Sequence, residues 1–140
     1  MDEDKINKLP PDVKKQFIKY ALKLSEKKKK TKVNDDFLTF VKHVWPEFIE
    51  GKHHKEIADK FNDIANKKIK RLIINMPPRH TKSEFASFLL PAWMVGRRPN
   101  LKIIQTTHTT ELAIRFGRKA KTLMDSQEYK EVFDTRLRED

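Results

Sequence analysis

The residues best suited to chemistry in this chain lie together at Met76-Pro77-Pro78-Arg79-His80-Thr81-Lys82-Ser83. A lysine followed by a hydroxyl residue at the start of a helix is the pairing used by phosphate-binding loops: amides face the anion, the ammonium reaches the terminal phosphates and the hydroxyl ligates magnesium. The pattern G-x-x-x-x-G-K-[ST] is met in its last two positions by Lys82 and Ser83, with Met76 and Thr81 at the positions of its glycines. The same residues have a second reading. Thr81-Lys82-Ser83-Glu84 has the form of a capping box, in which Thr81 caps a helix and Glu84 reaches back to it. Both readings start a helix at Thr81, and the pattern by itself leaves them open.

A phosphate loop belongs between a buried strand and a helix, and the flanking sequence predicts both. Leu72-Ile73-Ile74 is a short, continuous apolar run bounded by Arg71 and Asn75, the form of a buried strand. After the loop, Phe85, Ala86, Phe88, Leu89 and Trp93 outline a helix that Pro91 kinks or shortens and Gly96 stops. Leu101 to Thr106 forms a second strand candidate. A helix follows with Leu112, Ala113, Phe116, Ala120 and Leu123 inward and Arg115, Arg118 and Lys119 outward. Upstream, Asn34, Asp35 and Asp36 supply N-cap chemistry for a helix bearing Phe37, Phe40, Val41 and Val44, which Pro46 ends. From His54, Ile57, Ala58, Phe61, Ile64 and Ala65 follow the i, i+3, i+4, i+7 spacing of an amphipathic helix. Residues 54 to 124 thus read helix, strand, helix, strand, helix, and the fold expected is α/β, a parallel sheet with crossover helices.

The 140 residues suit one domain, with nine Phe, two Trp and two Tyr for a core. With 31 Lys plus Arg against 20 Asp plus Glu, the net charge of +11 favours a polyanionic partner. Zero Cys excludes a disulfide framework, a thiolate zinc site and a cysteine nucleophile. No apolar run approaches the roughly 20 residues of a membrane span, and the opening Met1-Asp2-Glu3-Asp4 is unlike a signal peptide, so an intracellular, non-membrane protein is expected. Residues 1 to 33 carry 11 Lys and 5 acids and read as a basic helix with Val13, Phe17, Tyr20, Ala21 and Leu24 on one face. That helix leads into the lysine-rich linker Lys27-Lys28-Lys29-Lys30-Thr31-Lys32. Residues 34 to 140 form the main unit.

The stretches Phe40-Val41-Lys42-His43-Val44-Trp45-Pro46, Gly51-Lys52-His53-His54, Leu72-Ile73-Ile74-Asn75-Met76 with the loop to Ser83, Ile103-Ile104-Gln105-Thr106 and Leu112-Ala113-Ile114-Arg115-Phe116-Gly117-Arg118 resemble, in order and spacing, the N-terminal ATPase portion of the large terminase subunit of tailed bacteriophages. The resemblance covers roughly residues 35 to 125. Its usual loop is Pro-Pro-Arg-His-Gly-Lys-Ser, and Thr81 stands here in place of the glycine. The resemblance implies a P-loop NTPase-like fold, ATP and Mg²⁺ as cofactors, and a loop of Pro78, Arg79, His80, Thr81, Lys82 and Ser83 whose amides cradle the phosphates. By the same resemblance Lys82 neutralises the β and γ phosphates, Ser83 holds Mg²⁺, and Arg79 acts as an internal arginine finger. His53 and His54 lie where related motors contact adenine, with a structural role as the alternative. The Thr106-Thr107-His108-Thr109-Thr110 corner resembles a helicase-like motif, and hydroxyl residues there are equally helix caps.

The implied function is the ATP-binding segment of a motor that packages double-stranded DNA into capsids. Its partners would be DNA, the small terminase subunit and the portal protein, with a homo-oligomeric ring in the full-length protein. The implied location is the host cytoplasm, transiently at the assembling capsid. No apolar strand ending in Asp-Glu is present as a Walker B element, since Val132-Phe133-Asp134-Thr135 is too short, and the family's C-terminal nuclease carboxylates are missing. The expectation is therefore the first part of a longer ATPase domain that binds nucleotide without hydrolysing it efficiently alone. The alternatives are a helicase-like motor fragment and a basic nucleic-acid-binding module without a nucleotide site.

Overall fold

The computed structural model describes residues 10–135, and every regular element within them is helical. In chain order these are α1 (Pro11–Asp35), α2 (Phe37–Val44), α3 (Lys52–Ala65), α4 (Lys82–Glu84), a π-helical segment (Phe85–Leu89), α5 (Leu90–Arg97), α6 (Thr110–Asp125) and α7 (Gln127–Val132). The chain divides into two compact units, residues 1–32 and 33–140. In the first, helix α1 continues through the lysine block at 27–32, and Val13, Ile18, Tyr20, Leu22 and Leu24 are exposed along it.

The second unit is organised around Phe37. Its ring meets Phe61, Phe85 and Trp93 edge-on, with centroids 5.2, 5.4 and 5.4 Å away, so α2, α3, the π-helical segment and α5 converge on one aromatic side chain. Such edge-to-face pairs add to the burial of large apolar area. A neighbouring triad of Phe40, Tyr129 and Phe133 brings in α7 and the residue that follows it. The Tyr129 hydroxyl donates to the Ala92 carbonyl at 2.9 Å, which satisfies it in the core. Burial pushes the Tyr129 phenol up to about 12.

The start of α2 is tied to α3 by polar contacts. Asp36 is the N-cap and accepts from the Thr39 amide at 2.7 Å and the Thr39 hydroxyl at 2.6 Å. Asn62 of α3 completes the junction, accepting from the Phe37 amide at 2.9 Å and donating to the Asp36 carboxylate at 2.8 Å. At its far end α3 closes in a Schellman motif. Lys67 sits at φ 61°, its amide bonds to the Ile64 carbonyl and that of Lys68 to the Asp63 carbonyl. Arg98 caps the same end by donating to the Ala65 carbonyl at 2.8 Å.

The expected α/β sheet is not present. Residues 71–76 and 101–106 are irregular and pair with no strand among the described residues, so the P-loop-type parallel-sheet fold is corrected to an all-helical one. An apolar run becomes a strand only when a partner takes up its amides and carbonyls in a ladder. The first run keeps the two-residue alternation of a strand: Leu72, Ile74 and Met76 rest on the core while Ile73 is 90% exposed. That one-sided burial is obtained without any ladder. The second run has even less support, with Ile104 92% exposed.

Pro91 lies inside the helical run and is accommodated where the chain widens into the π-helical segment just before it. The Leu90 amide bonds to the Phe85 carbonyl, five residues back. A proline ring collides with the carbonyl four residues earlier, and a π turn relieves that collision. Gly96 is a packing residue rather than a helix stop, since α5 runs on to Arg97. A Cβ at Gly96 would lie 2.6 Å from Phe133 Cγ and 2.7 Å from Tyr129 Oη.

Candidate phosphate-binding loop

The segment from Pro78 to Glu84 lines a concavity of about 480 Å³. Its backbone is the unusual part. Arg79 has φ 65° and Thr81 φ 57°, both left-handed, while His80 between them has negative φ and Lys82 begins α4. A β-branched residue pays most for a left-handed conformation, and strain of this kind costs about 1–3 kcal/mol per residue. Glycine, the residue of the general pattern at this position, would adopt it freely.

Alternation in the sign of φ turns successive amides toward a common side, the arrangement called a nest, which favours anions. The carbonyls of this loop are meanwhile taken by its own side chains. Lys82 Nζ donates to the Met76 carbonyl at 2.7 Å, His80 Nδ1 bonds to the Pro78 carbonyl at 2.9 Å, and the Thr81 hydroxyl donates to the His80 carbonyl at 2.7 Å. The first backbone amide of the helical run to find a carbonyl is that of Phe85, which bonds to Thr81 at 2.9 Å. Among the described residues, the amides of Arg79 and of residues 81 to 84 make no backbone hydrogen bond to a carbonyl, while that of His80 closes the turn at 78–79.

The capping-box reading of Thr81 and Glu84 is not realised. Thr81 Oγ1 makes no capping bond to the helix amides, and the Glu84 carboxylate is turned to Lys119 of α6, with an Nζ to Oε2 distance of 2.9 Å. Both groups that a helix cap would use are engaged elsewhere.

His54 supports the loop from below. It is 6% exposed, in contact with Phe48 and Phe85 at centroid distances of 4.8 and 5.2 Å. Its Nδ1 accepts from the Gly51 amide at 2.8 Å, so the ring proton of the neutral form is on Nε2, which donates to Thr81 Oγ1 at 2.6 Å. Burial lowers the His54 pKa, and its neighbour His53 and the loop residue His80 lower it further, opposed by Glu50. The loop before α3 contributes Phe48 and the π-helical segment Phe85, both uncharged.

The residues singled out from sequence therefore fall into two groups. Pro78, Arg79, His80, Thr81, Lys82 and Ser83 line one concavity, with Arg79 and Ser83 exposed and Lys82 half-buried. His54 lies beneath the concavity, with both ring nitrogens bonded within the chain, one of them to Thr81. His53 meets the His54 ring at a tilt and the His80 ring edge-on, at centroid distances of 3.9 and 5.6 Å. The basic residues considered for DNA are dispersed. Arg97 covers the Trp93 ring at 4.7 Å and Arg98 caps α3, while Arg115 and Arg118 line a separate groove of about 880 Å³ on α6. In the threonine-rich corner Thr109 is the N-cap of α6.

Triphosphate chemistry suits this donor set, with an open row of amides flanked by the Lys82 ammonium and the Arg79 guanidinium. For magnesium the loop offers the Ser83 hydroxyl, and no group of three or more metal-ligating side chains occurs among the described residues. No described helix is long and apolar enough to cross a membrane. Comparisons with protein-family models, with curated proteins and with solved structures found no match to this chain.

Proposed function

We propose that the loop from Pro78 to Ser83 binds the phosphates of ATP, and that the chain serves as the ATP-binding segment of a DNA-packaging motor of the terminase type. The observation that carries the phosphate reading is the alternation of φ sign through Arg79, His80 and Thr81, with the amides of residues 81 to 84 unpaired beside it. A chain segment adopts such strain at non-glycine residues only when its surroundings impose it. The packaging role rests on the sequence resemblance. In this reading Lys82 leaves the Met76 carbonyl to meet the terminal phosphates, Arg79 approaches the γ-phosphate, and Ser83 ligates the Mg²⁺ that accompanies ATP. Double-stranded DNA, the small terminase subunit and the portal protein are the partners, at the assembling capsid in the host cytoplasm. Hydrolysis by this chain is expected to be slow, because Glu84, the one carboxylate lining the loop, is occupied by Lys119.

The test is titration of a fluorescent ATP analogue with Mg²⁺ into the full chain, beside a Lys82→Ala variant shown by circular dichroism to fold equally well. Saturable binding that is lost in the variant supports the proposal. Absence of binding by the folded parent contradicts it. A second reading, a basic nucleic-acid-binding module, is favoured by the exposed lysines of α1 at positions 27 to 30. DNA binding unaffected by Lys82→Ala, without nucleotide affinity, would select it.

A further inference from the structure

We infer that His54 is the positioning residue of the loop, a neutral imidazole that locks Thr81 in its left-handed conformation and so keeps the amide nest open. This inference rests on the phosphate-binding reading for its purpose but not for its geometry.

The bonds form one directional chain. The Gly51 amide donates to His54 Nδ1, His54 Nε2 donates to Thr81 Oγ1, and the Thr81 hydroxyl donates its only proton to the His80 carbonyl. Each donor has one acceptor and each link fixes the next. The Gly51 amide selects the tautomer, the tautomer presents a proton to Thr81, and the threonine hydroxyl is thereby oriented toward the carbonyl of the preceding residue. That last bond spans the peptide between His80 and Thr81, the unit whose orientation sets the nest. Phe48 and Phe85 pack against the imidazole and against each other, a triad of rings that anchors it outside the loop. Thr81 thus achieves through its hydroxyl what glycine achieves by lacking a Cβ. The chain reaches it from 27 residues upstream, and the side chain that strains the backbone is also the one that is held.

The experiment is carried out on the full chain with three substitutions, Thr81→Val, His54→Gln and Thr81→Gly, and the double variant His54→Gln/Thr81→Gly. Valine matches threonine in shape and removes only the hydroxyl. Glutamine keeps an acceptor for the Gly51 amide but replaces the rigid ring donor with the NH2 of a flexible carboxamide, which no tautomer fixes on Thr81. The primary readout needs no ligand: the backbone ¹³C shifts of residue 81 by NMR, which distinguish left-handed from extended backbone, and the ring ¹⁵N shifts of His54, which report its tautomer. The expected result is the Nε2–H tautomer and left-handed shifts in the parent, with left-handed character lost in Thr81→Val and in His54→Gln. Unchanged shifts at residue 81 in folded Thr81→Val overturn the inference, even if His54→Gln fails to fold. Binding of the fluorescent ATP analogue with Mg²⁺ is the second readout. His54→Gln should weaken it about tenfold or more, in line with released strain, whereas the double variant should bind within about twofold of Thr81→Gly. A double variant as weak as His54→Gln relative to its parent would assign His54 a general structural role and overturn the inference. A parent that shows the predicted shifts yet binds no nucleotide refutes the phosphate-binding function and leaves the locking of Thr81 established.

Discussion

Asn62→Ala should cut the junction between α2 and α3 and destabilise the chain by about 2 kcal/mol, the lower end of a sum of about 2–4.5 kcal/mol. Asn62 makes one bond with a neutral partner, the Phe37 amide at 2.9 Å, and one with a charged partner, the Asp36 carboxylate at 2.8 Å. Bonds of the first kind are worth about 0.5–1.5 kcal/mol and of the second about 1.5–3 kcal/mol. Water reaches Asn62 in part and recovers some of this, which favours the lower end of the sum, about 2 kcal/mol. Asp36 retains its bonds to Thr39 in the variant, so the loss is confined to the junction. The assay is urea unfolding followed by circular dichroism, with the midpoint shift converted at constant m. A double-mutant cycle with Asp36→Ala then isolates the coupling, expected at about 1–2 kcal/mol. A loss below about 0.5 kcal/mol at unchanged m would refute the assignment of this junction, and with it the claim that α2 holds in place the helix carrying His54.

Three further outcomes follow from the packing. Gly96→Ala places a methyl against Phe133 and Tyr129, and overpacking of about 1–3 kcal/mol should outweigh the roughly 1 kcal/mol gained in helix propensity; a higher thermal midpoint would contradict the close approach. Phe37→Ala removes the ring shared by four elements and should cost about 3–5 kcal/mol by urea unfolding; a cost near 1 kcal/mol would show that the aromatic cluster is not the centre of the core. The lowered pKa of His54 means that the unfolded chain takes up a proton first, so stability is fully present above the ordinary histidine value of 6.5 and declines as the pH falls below it. His54→Gln should flatten that decline in urea unfolding measured from pH 7 to 5, and an identical slope in parent and variant would refute the contribution.

The helices were legible in the sequence wherever an apolar face recurred at helical spacing and a cap preceded it. Phe37, Phe40 and Val41 behind Asp36, and Ile57, Ala58, Phe61 and Ala65 behind Gly51, meet both conditions and are buried as the spacing requires. Leu72 to Ile74 and Leu101 to Thr106 show why strands are harder to read. Composition and alternation describe one chain segment, whereas a strand is a relation between two, and neither segment finds its second among the described residues. The lysine block at 27–32 reads as a linker at the boundary of the main unit, and the compact units do divide at Lys32, yet its residues are good helix formers and remain helical. Gly96 read as a helix stop because glycine commonly serves there. Its actual role depends on Tyr129 and Phe133, more than 30 residues away and out of reach of any local pattern.

At the candidate site, the sequence located the loop but not its support. Lys82 and Ser83 were recognisable from their order, and they share one concavity with Pro78, Arg79, His80 and Thr81. The left-handed Thr81 was hidden, since a β-branched residue is the last expected to take that conformation. The bond from His54 was hidden too, because it depends on the tautomer selected by Gly51 and on a contact between distant parts of the chain. A histidine three residues after a glycine N-cap was the available signal, standing at N3 where a capping box places Glu or Gln.

An anion site at the amides of residues 79 to 83 is what the proposed function requires. Its most direct test is an ¹H–¹⁵N NMR titration of the full chain with inorganic triphosphate and Mg²⁺. Saturable downfield shifts of the Arg79, His80, Thr81, Lys82 and Ser83 amides are expected, larger than those at the residues of α1. Shifts spread evenly over the basic surface, with the five loop amides unmoved, would contradict it.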